Sequence, residues 1–127
     1  MAAWVCLIVD DAGATRSCLT DILRENGIPS LEAGTPADAQ RTIERLGGQV
    51  DLLFVEIDTA EGLEFARWVR SSFPAILLIG MSGGVEQAPA GFPVVRKPFE
   101  RDSVLKAIAS ACPRSSAAPG FRLPHVS

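Results

Sequence analysis

Four polar features of this chain stand at the ends of apolar runs. Asp10-Asp11 follows Trp4 to Val9, Glu56 closes Leu52 to Val55, Ser82 follows Ala75 to Met81, and Lys97 follows Pro93 to Arg96. Adjacent carboxylates offer hard oxygen ligands to a divalent cation such as Mg²⁺, and an ammonium within reach offsets charge on an anionic group. Singly, each has a plainer use. A carboxylate behind a strand serves turns and helix caps, so Asp10-Asp11 can cap the helix that follows, and a lysine there can simply face water. Lys97 stands out because Lys97 and Lys106 are the only lysines among 12 basic residues.

A second pattern crosses the same serine. Gly80-Met81-Ser82-Gly83-Gly84 fits the glycine-x-serine-x-glycine elbow of hydrolases, and Ser82, Asp102 and His125 follow the chain order of that triad. The elbow must lead into a helix, whereas here it runs into Gly and Pro, and His125 falls in an expected tail, so a hydrolase is set aside. Cys6, Cys18 and Cys112 lack metal-ligand spacing and a partner His. They predict a reducing, cytoplasmic setting and no catalytic thiol.

Elements that would position these residues follow from periodicity. Trp4 to Val9 predicts a strand buried on both faces, and Ala14 to Asn26, with Cys18, Leu19, Ile22 and Leu23 recurring at helical spacing, a first helix stopped by Asn26-Gly27. Ile28 to Ala33 reads as a second strand. Thr35-Pro36-Ala37-Asp38 opens a second helix with a hydroxyl cap, a first-turn proline and an acid near the positive end. Val50 to Ile57 predicts a third strand and Leu63, Ala66, Trp68 and Val69 a third helix ending near Ser72. Ala75 to Met81, Pro93 to Arg96 and Glu100 to Ala111 supply two further strands and the closing helix. This alternation predicts a doubly wound α/β fold with a five-stranded parallel sheet in the order 2-1-3-4-5, its chemistry gathered at the carboxyl ends of the strands. Residues 1–112 form the expected domain and 113–127 an expected flexible tail.

At 127 residues and 47% apolar, the chain suits one domain with its own core. A net charge of −3 with both signs interspersed argues against a nucleic-acid surface, and no membrane span or signal peptide is expected.

Residues 4 to 112 resemble the receiver domain of bacterial response regulators. The resemblance is carried by Leu7-Ile8-Val9-Asp10-Asp11, by Val50-Asp51-Leu52-Leu53-Phe54-Val55-Glu56, by Gly62-Leu63-Glu64, by Ile79-Gly80-Met81-Ser82-Gly83 and by Arg96-Lys97-Pro98-Phe99-Glu100. It implies two-component phosphorelay signalling. In that family the acidic pair holds Mg²⁺, an Asp ending the third strand takes a phosphoryl group from phosphohistidine, and the Ser or Thr hydroxyl and the Lys meet that group. Carried over, Asp10, Asp11, Ser82 and Lys97 match, with Asp58 as a further metal ligand, and the phosphoacceptor position is Glu56.

That position departs from the pattern. Glutamate reaches about 1.5 Å further than aspartate, and a misplacement near 1 Å can cost about a hundredfold in a positioned reaction. The expectation is an atypical receiver that needs no cofactor and is no enzyme, acting as a phosphorylation-independent interaction module. Its partner would be a histidine kinase or a downstream regulator. A fixed Glu56 charge near Lys97 and Ser82 would partly imitate a phosphoryl group, though one carboxylate lacks its charge and third oxygen. The alternatives are a working phosphoacceptor that uses Glu56 or Asp58 with Mg²⁺, and a structural or dimerisation protein outside any kinase pathway. Asp58 or Thr59 would otherwise cap the third helix.

Gly83 to Phe92, with three glycines and a proline, replaces the family's helical crossover, so the fourth helix is expected to be reduced or absent. Val94 stands where the family carries an aromatic. The loss would bare apolar sheet over the fourth and fifth strands, to be covered by a homodimer partner, another protein, or Phe121, Leu123 and Val126 of the tail.

Overall fold

The computed structural model describes residues 4–84 and 91–112. Its elements run β1 (Cys6–Val9), α1 (Gly13–Glu25), β2 (Ser30–Ala33), α2 (Pro36–Arg45), β3 (Leu52–Glu56), α3 (Ala60–Ser72), β4 (Leu77–Ser82), β5 (Val94–Arg96) and α4 (Arg101–Ala111). The five strands form one parallel sheet in the order β2-β1-β3-β4-β5, as the alternation of elements predicts.

Both faces of the central strands are covered, which is why their sequences are continuously apolar. Cys6, Ile8, Leu52, Phe54, Ile79 and Met81 pack with side chains of α1 and α4. Leu7, Val9, Leu53, Val55 and Leu78 pack with α2 and α3. Each such fully buried large side chain contributes on the order of 2 kcal/mol through the water it sheds.

Caps set the starts of the two middle helices. Thr35 accepts a hydrogen bond from the Asp38 N–H at 3.1 Å and Pro36 occupies the first turn, where its missing N–H costs nothing. Thr59 accepts from the Gly62 N–H at 3.0 Å, so Thr59 rather than Asp58 caps α3. Two expectations need correction. Cys18 is exposed, because it lies one position off the buried stripe of Leu19 and Leu23. The Asp10-Asp11 pair does not cap α1: the N-cap is Ala12, with no side-chain cap, and Asp10 instead accepts from the Ala12 N–H at 2.9 Å.

The connection from β3 to α3 is short, running from Ile57 to Thr59. It brings the first turn of α3 so close to β3 that a Cβ on Gly62 would lie 1.9 Å from the Glu56 carbonyl oxygen. Only glycine permits that approach. Gly62→Ala should therefore lower stability by about 1–3 kcal/mol, the usual cost of forcing atoms into a filled space. A urea midpoint unchanged from the native chain would show that α3 moves aside freely.

Between β4 and β5, Gly83, Gly84 and Gly91 to Pro93 are non-helical. Residues 85–90, on which most of the expected helix loss falls, lie outside the described residues, as does the tail 113–127. The expected bare apolar patch is not found among the described residues. The exposed large hydrophobe is Leu31, 44% exposed, on β2 at the opposite edge. Over β4, Ile57 and Phe92 instead lean into the space left by Gly80, each with an atom 3.0 Å from where its Cβ would stand. Among the described residues, no helix is long and apolar enough to cross a membrane.

Candidate functional site

Parallel strands of matched register end at one edge of the sheet, so the residues behind them become neighbours. Asp10 follows β1, Glu56 and Ser82 end β3 and β4, and Lys97 follows β5. The ladder runs past the strand ends, with the Ile57 N–H donating to the Met81 carbonyl at 3.0 Å and the Lys97 N–H to the Ser82 carbonyl at 2.8 Å.

Lys97 is the hub. Its Nζ donates to Asp10 Oδ2 at 2.6 Å and stands 3.7 Å from Glu56 Oε2. The Asp10 side chain is fully buried, and that of Lys97 is 23% exposed. Asp10, Asp11 and Glu56 each bring an oxygen within 4.8 Å of the others. The site residues predicted after β1, β3 and β5 therefore meet in one place, with Ser82 on the strand between Glu56 and Lys97.

Burial would raise the Asp10 carboxyl, but hydrogen bonds from Lys97 and the Ala12 N–H hold it below its ordinary value. The Glu56 carboxyl is pushed up, first by burial and then by the charge of Asp10. Lys97, which burial would lower, is raised by its bond to Asp10.

Asp58 takes a different course from the one expected of a metal ligand. Its Oδ1 accepts from the Ser82 hydroxyl at 2.6 Å and its Oδ2 from the Gly83 N–H at 2.9 Å. Those two bonds keep its carboxyl below the ordinary range. The third acid beside Asp10 and Asp11 is therefore Glu56, because the short loop aims Asp58 across to β4. The same bond separates Ser82 from hydrolase chemistry, since its hydroxyl donates to a carboxylate and no helix follows it directly. Asp102 stands in the first turn of α4, and His125 lies outside the described residues.

Sequence reasoning missed Arg16. Its Nη1 donates to the Asp10 carbonyl at 2.6 Å and its Nε to Glu32 at 3.0 Å, fixing the backbone that presents the acidic pair. No motif announces it, because its role depends on β2 lying beside β1. Cys6 is fully buried, and burial pushes its thiol far up, as befits a core residue.

A cleft of about 410 Å³ opens beside the acids, walled by Asp11, Glu56, Thr35, Pro36, Ala60 and Gly62. Three carboxylates at its inner end are the donor set of a hard divalent cation. Asp10 would contribute while still bonded to Ala12 and Lys97, so Asp11 and Glu56 would carry more of the coordination.

The sequence matches no protein-family model and no curated protein. Solved structures share its architecture. A response regulator from Thermotoga maritima superposes with a TM-score of 0.75 at 23% identity, over 87% of this chain and 98% of that one. A CheY-like response regulator receiver domain protein from Methanospirillum hungatei gives 0.73 at 21% identity, over 85% and 92%. The chemotaxis protein CheY4 of Vibrio cholerae gives 0.74 at 20% identity, over 87% and 100%. The shared fold is that of CheY-like receiver domains.

Proposed function

We propose that this chain is an atypical receiver domain of two-component signalling that works as a phosphorylation-independent protein-interaction module. Its partner is a protein of such a pathway, a histidine kinase or a downstream regulator. The fold and the cluster of Asp10, Asp11, Ser82 and Lys97 support the receiver reading. Independence from phosphorylation is carried by one observation. The groups that would meet a phosphoryl group already hold the chain's own carboxylates: Lys97 has Asp10 and Glu56, and Ser82 has Asp58.

Glu56 supports this further. It ends β3 where the receiver pattern has aspartate, and its longer stem carries the carboxylate to within 3.7 Å of Lys97, past the position a shorter acceptor would hold. Any Mg²⁺ held by Asp11 and Glu56 would then serve shape and charge at this site. The test is incubation with a small acyl phosphate and Mg²⁺, followed by intact mass. The native chain and Asp58→Asn should both stay unmodified. Label on the native chain that disappears in Asp58→Asn would replace this reading with a working acceptor at Asp58.

A further inference from the structure

We infer that Asp58 is a built-in latch that fixes the start of the β4–β5 connection in one position without any modification of the chain. Its use to a partner rests on the receiver reading above, whereas the contact itself does not.

Gly83 and Gly84 follow β4 directly, and two glycines in succession have more backbone freedom than any other pair. What holds them must come from neighbouring elements. Asp58 supplies one restraint with both oxygens of its carboxylate: one on the Ser82 hydroxyl at 2.6 Å, the other on the Gly83 N–H at 2.9 Å. Ser82 is 2% exposed, and its oxygen accepts from the Gly84 N–H at 3.1 Å, so the carboxylate and the second glycine share one hydroxyl. From the other side, Arg96 of β5 donates to the Gly84 carbonyl at 2.7 Å.

The geometry is directional. Asp58 precedes Thr59, whose hydroxyl caps α3, so the latch ties the glycine pair to the anchored start of a helix. Hydrogen bonds to an ionised carboxylate are roughly twice as strong as neutral ones, and although Asp58 and Gly83 are exposed, the Ser82 hydroxyl at the other end of the contact is buried. The backbone of Ser82 to Gly84 is thereby presented in one form, which suits a partner that binds without waiting for a signal.

Amide hydrogen exchange by NMR tests this in the full chain. In Asp58→Ala the Gly83 amide should exchange about tenfold faster or more, while amides of β1 and β3 keep native protection and so report a folded variant. Asp58→Asn, which keeps an acceptor oxygen but no charge, should fall between. Ser82→Ala removes the other end of the contact and should loosen the Gly84 amide. A Gly83 rate within about twofold of native in Asp58→Ala overturns the latch. The phosphodonor assay fails or succeeds separately: a labelled native chain with a protected Gly83 removes the proposed role and leaves the latch, and an unlabelled chain with a freely exchanging Gly83 does the reverse.

Discussion

Glu56→Asp is expected to accept a phosphoryl group from a small acyl phosphate about a hundredfold faster than the native chain when Mg²⁺ is present. The expectation follows from reach and charge. Shortening the side chain by one carbon draws the carboxylate back from Asp10 and Lys97, which Glu56 now approaches to 3.7 Å. Space opens between β3 and Lys97 for an incoming phosphoryl group. The retracted carboxylate feels less of the Asp10 charge that raises the Glu56 carboxyl, which favours its ionised, nucleophilic form. Asp10 and Asp11 remain to hold the cation and Lys97 to offset charge on the transferred oxygens. The measurement is the rate at which the phosphorylated mass appears, with a Mg²⁺-free control. Equal rates for variant and native chain would mean that the length of residue 56 is not what silences the site, leaving the Asp58–Ser82 contact as the obstacle.

Lys97→Met should cost about 3 kcal/mol of stability near neutral pH, the lower end for breaking a buried ion pair, since Lys97 keeps some contact with water. Methionine fills much of the stem's volume, so the loss reports charge. Asp10 would be left buried and ionised beside a second acid. The pH dependence has a definite sign. Because Asp10 is held below its ordinary value of 3.8, its contribution is present above that pH and lost as pH falls through its lowered pKa. Because Lys97 is raised above 10.5, its contribution is present below that pH and lost as pH rises through its raised pKa. Glu56 runs oppositely to Asp10. Its raised pKa stabilises the fold fully below 4.5, an effect lost as pH rises through the raised value. The Lys97→Met deficit should therefore be full near neutrality and shrink in acid, where both carboxyls take up protons. Urea unfolding at about pH 7 and at a pH well below 3.8 measures it. A deficit that grows in acid would contradict the ion-pair account.

Most of the fold was legible in the residues because each local signal agreed with the others. Continuous apolar runs marked strands covered on both faces, Thr35-Pro36 marked the start of α2, and the alternation of elements allowed few arrangements other than the observed strand order. Local pattern misled where a one-residue difference mattered. Cys18 falls in an apolar set at helical spacing, yet the stripe actually buried is Leu19 and Leu23. Asp10 looked like a cap for α1 and became a buried partner of Lys97, 87 residues away.

The identity and order of the site residues were determined by the sequence alone. Asp10, Asp11, Glu56, Ser82 and Lys97 follow apolar runs, and parallel strands must bring such positions to one edge. Which side chain bonds to which was decided by the tertiary structure. The three-residue connection after β3 swings Asp58 onto Ser82 and Gly83, leaves Glu56 beside Lys97 and the acidic pair, and presses Gly62 against the Glu56 carbonyl. Contacts of that kind depend on loop length and on the spacing of strands far apart in the chain, and hydrogen bonds form or fail over fractions of an ångström that residue order does not encode locally.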